Sequence, residues 1–425
     1  MVNAHSTPVA VVGSGVAGLT AAYLLQRRYA VTLFEASDRL GGHAHTHDVE
    51  LHEGASTPVD TGFIVHNRAT YPNLVRLFDE LGVETTPTEM SMSIRCFGCG
   101  LEYAGGRGTA GVLGWSYATL RPQFLRMLTE VRRFHRAART VLVDEADSRT
   151  LRDFLDAHHF SSYFVAHFVV PLVSTVWSTG TQDALGYPAA HLFRFLDNHG
   201  MLSVSGSHRW RTVAGGSRTY VERAAKGLNA VRTGSPVRNV QRHADGVDVR
   251  TDADERASFA HVVIATHADQ ALAMLAEPTT AERDTLGAFR FTPNEVVLHQ
   301  DASLLPRSIR KQASWNYVAR TCGDPYATGA RVTYDMSRLQ HLGEGADGPL
   351  LVSLGLADRI RSDRILKRFS YSHPVYTPES VAAQENLPRL AGGQVQFAGA
   401  WQGWGFHEDG CASGVRAARA LGVTW

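Results

Sequence analysis

Three glycines and one glutamate near the start of the chain have the spacing of a dinucleotide site. A short apolar run, residues 9–12, precedes Gly13, Gly15 and Gly18. Gly13 permits a tight turn, Gly15 lets a diphosphate approach the backbone, and Gly18 allows a helix to pack closely on the sheet. Glu35 ends a second apolar run about 20 residues later, where a carboxylate accepts a hydrogen bond from a ribose hydroxyl. The spacing predicts a strand, a turn and a helix whose N-terminus binds the diphosphate.

A second glycine pair, Gly41 and Gly42, follows this unit and indicates that the dinucleotide is FAD. Because a flavin accepts hydride, we expect a redox reaction. The segment 106–111 also fits the glycine spacing, but no long apolar run precedes it and no acid follows at the right distance. We interpret this segment as a glycine-rich loop, so the sequence predicts one dinucleotide site.

Cys96 and Cys99 form a CxxC pair. Zinc would need two further ligands, and none can be assigned from the sequence, in which Cys322 and Cys411 look isolated. We interpret the pair as part of a hairpin between residues 90–96 and 100–103, with a metal or redox role as the alternative.

Three histidines, His43, His45 and His47, alternate along the chain. In a strand they would share one face and could bind zinc or copper. They directly follow the second glycine pair, however, and no ligand from another element can be named. We predict no metal site, and keep a metal-binding protein built on these histidines as an alternative class.

The composition is that of an ordinary globular protein. The chain has 425 residues, of which 44% are hydrophobic and 20% charged, and a net charge of +1. This length suits two or three domain-sized units, and the charge gives no drive toward nucleic acid. We identify no signal peptide and no run able to span a bilayer, so we expect a cytoplasmic location.

Two segments carry a resemblance to a known family. Residues 35–46, with the double glycine, and residues 396–418, with Phe-Ala-Gly before a glycine-rich helix start, resemble the flavin amine oxidase superfamily. The resemblance implies an α/β fold in which a Rossmann-type FAD domain is interleaved with a mixed sheet-and-helix substrate domain. The implied FAD-domain segments are 1–65, 209–287 and 391–425, and the implied substrate-domain segments are 66–208 and 288–390.

In the superfamily the C-terminal strand, loop and helix hold the ribityl chain and the pyrimidine edge of the flavin. Together with the N-terminal unit, this implies a set of FAD-binding residues at the turns and strand ends. The set is Gly13, Gly15, Val16, Ala17, Gly18, Glu35, Ala36, Arg39, Gly41, Gly42, His43, Thr46, Gly62, Phe63, Val237, Ala265, Thr266, Gly399, Ala400, Trp401, Gly405, Phe406, Gly410 and Ala412.

The loop expected at the flavin carries His407, Glu408 and Asp409, which are our candidates for general acid–base catalysis. The alternative is that the acids cap the following helix, since acids favour helix starts. His66 is a further candidate. Trp401, Phe406 and their neighbour Trp404 either wall the flavin or belong to the core.

Several segments, among them 59–74, 209–217, 313–317 and 371–376, resemble a bacterial subgroup of predicted NAD/FAD-binding proteins. Its members are often encoded beside methyltransferases similar to cyclopropane-fatty-acyl synthases, which implies a lipid acyl chain as substrate. The strand expected over 291–299 contains no lysine, which argues against typical amine oxidation. We predict an FAD-dependent oxidoreductase that dehydrogenates or otherwise modifies a fatty acyl chain. Amine or amino-acid oxidation and non-redox isomerisation are the alternatives.

A basic amphipathic helix is expected over residues 120–142, where arginines alternate with apolar residues at helical spacing. Such a helix either packs on its own domain or lies on an anionic membrane surface. The predicted partners are therefore a lipid or small-molecule substrate and a peripheral membrane contact, without nucleic acid. The sequence does not determine the oligomeric state.

Overall fold

The computed structural model describes residues 7–51, 54–114, 117–143, 147–203, 208–323, 329–343, 348–390 and 392–425. Strands and helices of these residues form a mixed α/β fold. In the described ranges no helix is both long and apolar enough to cross a bilayer.

The elements are numbered in chain order. The strands are β1 Pro8–Val12, β2 Ala30–Phe34, β3 Thr46–Glu50, β4 Ser56–Asp60, β5 His66–Asn67, β6 Thr85–Thr88, β7 Met92–Cys96, β8 Glu102–Gly105, β9 Trp210–Val213, β10 Ala230–Arg232, β11 Val237–His243, β12 Gly246–Thr251, β13 Arg256–Phe259, β14 His261–Ile264, β15 Arg290–His299, β16 Trp315–Ala319, β17 Val332–Asp335, β18 Leu351–Leu354, β19 Ile365–Val375 and β20 Val395–Phe397. The helices are α1 Val16–Leu25, α2 Pro72–Leu81, α3 Gly108–Leu113, α4 Pro122–Val141, α5 Leu151–Ala157, α6 Ser162–Phe164, α7 Val170–Trp177, α8 Thr181–Gly186, α9 Ala189–Asn198, α10 Arg218–Ala225, α11 Ala268–Met274, α12 Thr280–Leu286, α13 Met336–Leu339, α14 Pro378–Gln384 and α15 His407–Ala420.

A five-stranded parallel sheet in the order β10-β2-β1-β14-β20 carries the first glycine turn. Its central strands β1 and β14 are almost entirely buried, which explains their continuous apolar sequence. Helices α1 and α15 pack together beside this sheet. The strands of the sheet come from three separate stretches of the chain, around residues 8–34, 230–264 and 395–397.

A second, mixed sheet has seven strands in the order β19-β15-β18-β17-β16-β7-β8. All of its pairs are antiparallel except β16 with β7. Helices α4 to α9 lie in sequence between β8 and β15, and their apolar faces share one core with β7, β8 and β16. Phe124, Phe134, Phe154, Phe164 and Phe193 are fully buried there.

Several predicted elements are present. Pro72 and Gly82 predict a helix between them, and α2 begins at Pro72 and ends before Gly82, whose φ of 64° gives a left-handed cap. Residues 215–217 predict a helix start, and α10 begins at Arg218. The hairpin of β7 and β8 and the helix α4 within 120–142 are confirmed.

Three local predictions are wrong. The sequence over 231–240 predicts one strand, but two strands form, β10 and β11, because Gly234 at φ 59° and Pro236 interrupt the ladder. The segment 106–111 is not simply a loop, since helix α3 begins at Gly108. Lysine side chains are rarely buried, which predicts Lys311 at the surface; it is only 4% exposed, because its aliphatic stem packs against Gly114.

Candidate functional site

The start of helix α1 is open to an anion. Gly15 is the N-cap residue and contributes no capping side chain, and the first turn contains no acidic residue. A Cβ added to Gly15 would meet no atom within 4 Å, whereas one added to Gly18 would lie 1.9 Å from the carbonyl oxygen of Gly13. Val16 and Ala17 are buried in the same turn. The N–H groups and the dipole of this turn therefore face free space suited to a diphosphate.

The two glycine motifs adjoin each other. The Gly41 amide donates to the Ser14 carbonyl and lies 3.1 Å from the Ser14 hydroxyl oxygen. The Ser14 amide and hydroxyl both donate to Glu35 Oε2, at 2.9 and 2.6 Å, and the Ser37 amide donates to Oε1. Glu35 is thus fixed beside the turn, where a ribose would be.

The remaining predicted residues of the FAD domain lie around this turn. The Ala265 amide donates to Val12 at the end of β1, and Thr266 follows it directly. The Gly234 amide donates to the Ser37 carbonyl, and the Ser235 amide donates to the Glu35 carbonyl. These hydrogen bonds bring Val237, the first residue of β11, toward Glu35 and Ala36.

Gly62, Phe63 and His43 meet on the other side of the glycine pair. The Phe63 amide donates to the carbonyl oxygen of His43 at 2.8 Å, and a Cβ on Gly62 would lie 2.0 Å from that oxygen. Arg39 donates to the Gly42 carbonyl at 2.8 Å, and burial lowers its pKa. A cation is therefore held next to the predicted phosphate path.

Two predicted FAD residues have other roles in this structure. The Thr46 hydroxyl donates to Asp60 at 2.6 Å and accepts from the Arg218 amide, so it ties β3 to α10. The Trp401 indole is buried and donates to the Thr266 carbonyl at 3.1 Å, which places its ring in the core with Phe289. For Trp401 the core interpretation is the one that the structure supports.

The C-terminal loop brings the second glycine-rich helix start to α1. Gly410 and Gly414 of α15 approach α1 so closely that added Cβ atoms would lie 2.6 Å from Val16 Cγ1 and 2.4 Å from the Ala17 carbonyl oxygen. Residues 399–406 lead into this start. Gly399, Ala400 and Gly405 lie in the loop, and Ala412 is half-buried in α15.

The residues present fit FAD. The uncapped start of α1, the free space at Gly15 and the fixed Glu35 carboxylate match the diphosphate and ribose of a dinucleotide. The Nε2 atom of His43 is buried without a hydrogen-bond partner, as expected of a polar atom that faces a missing ligand. Which individual residues contact FAD stays a prediction.

His66 and His407, two of the predicted catalytic residues, are neutral at neutral pH; His66 is buried and His407 is half-buried. The His407 ring stacks on Phe63 at 3.7 Å, and its Nε2 atom lies 3.1 Å from the Tyr220 hydroxyl. Burial lowers the pKa of His407 to about 3 and that of His66 to about 4. His66 Nδ1 has no hydrogen-bond partner. Both imidazoles would act as acceptors or donors of hydrogen bonds rather than as cations at neutral pH.

Glu408 caps a neighbouring helix. Its Oε1 atom accepts from the backbone and side chain of Asn73, at 3.1 and 2.6 Å, and Oε2 accepts from the Leu74 amide at 3.0 Å. These amides belong to the first turn of α2, which has no capping side chain of its own. Glu408 is therefore a helix cap, but of α2 and not of the following helix, α15, which the sequence alternative named.

Asp409 caps its own helix but keeps the character of an acid–base group. Its Oδ2 atom accepts from the Phe406 amide at 2.9 Å. Burial raises the pKa of Asp409 to about 7, in spite of the amide donors at the helix start. A carboxyl group with such a pKa can take up or release a proton near neutrality.

An aromatic cluster that the sequence did not reveal surrounds this loop. Phe406 stacks on Phe195 of α9 at 4.6 Å, and Trp404 donates to the His191 carbonyl. The rings of Tyr187, Tyr376 and His191 form a triangle, with centroids 5.3 to 5.8 Å apart. The two hydroxyls and His191 Nε2 are buried without partners. Residues from three distant segments, 187–195, 376 and 404–406, converge here, and no sequence spacing could have indicated it.

The alternating histidines do not converge on a metal. His45 Nδ1 faces the Tyr371 hydroxyl at 2.8 Å, and His47 Nδ1 faces the Lys367 ammonium at 3.2 Å. His43 lies instead beside His373, with ring centroids 5.3 Å apart. The ammonium group occupies the lone pair of His47 and would repel a metal cation.

The cysteine prediction needs a correction. Cys322 is not isolated, because its Sγ atom lies 3.8 Å from that of Cys96, and His167 Nε2 lies 3.5 Å from Cys99 Sγ. The two further ligands that a zinc site would need are therefore present, although the sequence prediction was that the chain has no metal site.

The fold and the two helix starts define an FAD-dependent oxidoreductase. The family model for flavin-containing amine oxidoreductases matches residues 16–300. The chain belongs to the flavin-containing amine oxidoreductase family.

Solved structures share the fold across almost the whole chain. A putrescine oxidase bound to putrescine and a cyclohexylamine oxidase from Brevibacterium oxydans each have a TM-score of 0.69 at 16% identity, with 98% of both chains covered. A conjugated-linoleic-acid-producing fatty acid isomerase from P. acnes has a TM-score of 0.67 at 14% identity, with 96% of this chain and 97% of that chain covered.

Proposed function

We propose that the protein docks on a membrane and removes hydrogen from the acyl chain of a lipid, with FAD as the hydride acceptor. The observation that carries the proposal is a cluster of exposed apolar side chains on the helical unit whose inner face reaches the flavin loop. FAD supplies the acceptor for the hydride when bound, so the protein must admit the chain, orient it and take up a proton.

Four large apolar side chains are exposed within one stretch of chain, which we call the 113–125 surface. Leu113 is 46% exposed, Tyr117 81%, Leu120 63% and Leu125 47%. They precede or begin helix α4, whose outward side carries exposed arginines. These arginines are Arg126, Arg132, Arg133, Arg136 and Arg139. An apolar edge next to a cationic helix is the combination that binds an anionic membrane.

The inner face of α4 leads toward the flavin loop. Phe134 of α4 packs edge-on against Phe193 of α9 at 5.5 Å. Two residues further along α9, Phe195 stacks on Phe406 in the loop before α15. Helix α9 thus contacts α4 through Phe193 and the flavin loop through Phe195, and we propose that these aromatic rings offer apolar walls to an acyl chain.

The charges near the loop fit an uncharged substrate. The chain has only three lysines. Lys226 lies at the end of α10, Lys311 lies beside Gly114, and Lys367 lies beside His47. Strand β15 contains none. Asp409 is the proton acceptor that we propose, since burial raises its pKa to about 7.

Anaerobic absorbance spectroscopy of the FAD-loaded protein tests the proposal. We expect vesicles of anionic phospholipid to bleach the oxidised flavin bands, and putrescine or cyclohexylamine to leave them unchanged. Bleaching by an amine alone would make the protein an amine oxidase. Acyl chains whose double bonds move while the flavin stays oxidised would indicate an isomerase.

The double variant Leu120→Glu/Leu125→Glu tests the membrane contact separately. We expect this variant to lose binding to vesicles, and its flavin to be reduced slowly by vesicle lipid. The same lipid in detergent micelles should reduce the flavin at the wild-type rate. Leu366→Glu is the matched control, because Leu366 is exposed to 40% outside this surface. Equal vesicle binding by all three proteins would contradict the membrane contact.

A further inference from the structure

Three cysteines and one histidine from separate parts of the chain meet on the substrate-domain side. The Sγ atoms of Cys96, Cys99 and Cys322 and the Nε2 atom of His167 all lie within 4.8 Å of one another. All of these cysteines are free thiols. Cys96 and His167 are buried, Cys99 is half-buried, and Cys322 is exposed.

Two of the six distances between the ligand atoms match a tetrahedron around a single ion, and all six are within 4.8 Å. Zinc–sulfur bonds of about 2.3 Å and a zinc–nitrogen bond of about 2.0 Å give tetrahedral edges of about 3.8 Å between sulfurs and about 3.5 Å between sulfur and nitrogen. Cys96 and Cys322 are 3.8 Å apart, and Cys99 and His167 are 3.5 Å apart. Both measured edges therefore match this geometry.

The tautomer of His167 is set for ligation. Its Nδ1 atom lies 2.9 Å from the carbonyl oxygen of Tyr163, which can only accept a hydrogen bond. The proton is therefore on Nδ1, and the Nε2 lone pair points at the sulfurs. A backbone carbonyl in this position is the usual outer partner of a metal-bound histidine.

The fold builds the site from three segments. The CxxC pair occupies the tight turn between β7 and β8, where the Gly100 amide donates to the Cys96 carbonyl. Strand β16 runs parallel to β7 with Ala319 opposite Cys96, so the chain leaving β16 brings Cys322 to the turn. A Cβ on Gly98 would lie 3.0 Å from the Cys322 amide, and glycine therefore permits this approach.

The histidine comes from an irregular turn of helix. His167 lies in a π-helical turn, Val165–Val169, between α6 and α7. Pro171 lacks the N–H that would bond to the His167 carbonyl, which instead accepts from the Tyr103 hydroxyl at 2.7 Å. Turns of this kind are frequent at functional sites, since they turn one side chain out of helical register.

We propose that Cys96, Cys99, Cys322 and His167 bind a structural zinc ion. All four positions are filled by protein ligands, so the site is closed and has no place for substrate. Binding replaces the thiol protons, which are released to solvent, and involves no change of oxidation state. Three thiolates leave one net negative charge, and Arg121, which donates to the Cys99 carbonyl at 3.1 Å, lies beside it.

The ion would fix the helix that borders the flavin loop. Helix α7 continues from the His167 turn, and its Thr175 carbonyl and Trp177 indole bond to Tyr334 and to the Trp404 carbonyl. Zinc would thus join the hairpin, the end of β16 and α7 into one unit. Its loss would loosen the aromatic wall without touching the FAD cradle at α1.

Elemental analysis of the full-length protein, purified with a tag free of histidine, tests the proposal. We expect about one zinc per chain, and less than about a tenth of that in Cys99→Ser, Cys322→Ser and His167→Gln. Cys411→Ser and His158→Gln are matched controls that should keep the zinc, because neither residue belongs to the cluster. We also expect chelation to lower the unfolding midpoint by about 5 °C while FAD stays bound.

Cobalt substitution gives a second measurement on the unaltered chain, should a variant fail to fold. Tetrahedral thiolate-bound Co²⁺ adds absorbance at the red end of the spectrum, where oxidised flavin does not absorb. Wild-type protein that takes up neither zinc nor cobalt under reducing conditions would overturn the proposal. So would a native disulfide between Cys96 and Cys322, or zinc that persists in all three ligand variants.

Discussion

The two glycine-rich helix starts, α1 and α15, lie against each other but differ in the side chains of their first turns. The first turn of α1 contains no acid and no capping side chain. The first turn of α15 contains Glu408 and Asp409, which cap α2 and α15 itself. The dipole of α1 is therefore free for an external anion, whereas that of α15 is already matched by anions of the chain.

Because of this difference, we expect the two helix starts to have different functions. We predict that the α1 start binds the diphosphate, the most strongly charged part of FAD. The α15 start offers one group, Asp409, whose pKa near neutrality suits proton transfer, and a second, Glu408, that holds α2 in place. We therefore assign anion binding to the glycine-rich start of α1, and helix packing with proton transfer to that of α15.

The largest effects should come from two glycines of α1. Gly18→Val should prevent folding, because even a Cβ would lie 1.9 Å from the Gly13 carbonyl oxygen. Gly15→Val should fold, since its Cβ meets no atom, but bind FAD about 100-fold more weakly, about 3 kcal/mol. Circular dichroism and FAD titration measure the two effects. A Gly15→Val protein with wild-type FAD affinity would contradict the assigned cradle.

Glu408→Ala should cost about 3 kcal/mol of unfolding free energy, because it removes the acceptors of the Asn73 and Leu74 amides. Glu408→Gln, which keeps an acceptor oxygen, should lose about half as much. Denaturant unfolding of the three proteins measures this. Wild-type stability in both variants would contradict the role of Glu408 as a cap. Glu408 would then again be a candidate for general acid–base catalysis.

The lowered pKa of His407 should make the protein acid-labile. Its folded pKa, about 3, lies below that of the unfolded chain, so the unfolded chain binds the proton first as the pH falls. Above about pH 6.5 the histidine is neutral in both states and costs no stability. Between about pH 6.5 and pH 3 the free energy of unfolding falls, because only the unfolded chain binds the proton. His407→Gln should therefore gain about 2 kcal/mol relative to wild type between pH 8 and pH 5. His208→Gln is the control; the same gain there would refute the assignment to His407.

Ser14→Ala should have the smallest effect. The hydroxyl donates to Glu35 Oε2 at 2.6 Å and so orients the carboxylate for the ribose. Without it, we expect FAD to bind about 5-fold more weakly, about 1 kcal/mol, with unchanged unfolding of the apoprotein. Calorimetric titration with FAD measures the change. A drop in apoprotein stability instead would mean that the contact is only structural.

The sequence predicted the α1 unit and failed where distant segments meet. Turn, helix and Glu35 could be predicted because each is fixed by neighbours within about 20 residues. The aromatic cluster at Trp404 and the pairing of Cys322 with Cys96 depend on contacts across more than half of the chain, which no local spacing records. Gly234 and Pro236 were a local signal for the break between β10 and β11 that the prediction passed over.

The metal candidates show the same limit. The alternating histidines were the more visible pattern in the sequence. In the structure, however, His47 faces Lys367, and the His43 ring lies beside His373. The CxxC pair was half of a ligand set whose other half lies 68 and 226 residues away in sequence. Ligand identity can be suggested by spacing, but ligand number depends on the tertiary fold.

The central claim is that an acyl chain is oxidised at the flavin, and the mass of that chain tests it most directly. FAD-loaded protein would be mixed anaerobically with excess phospholipid vesicles, and the recovered chains analysed by mass spectrometry. We expect one chain lacking two hydrogens for each flavin reduced, because the hydride and the proton leave together. Chains of unchanged mass, with the flavin still oxidised in vesicles and in micelles, would contradict the account.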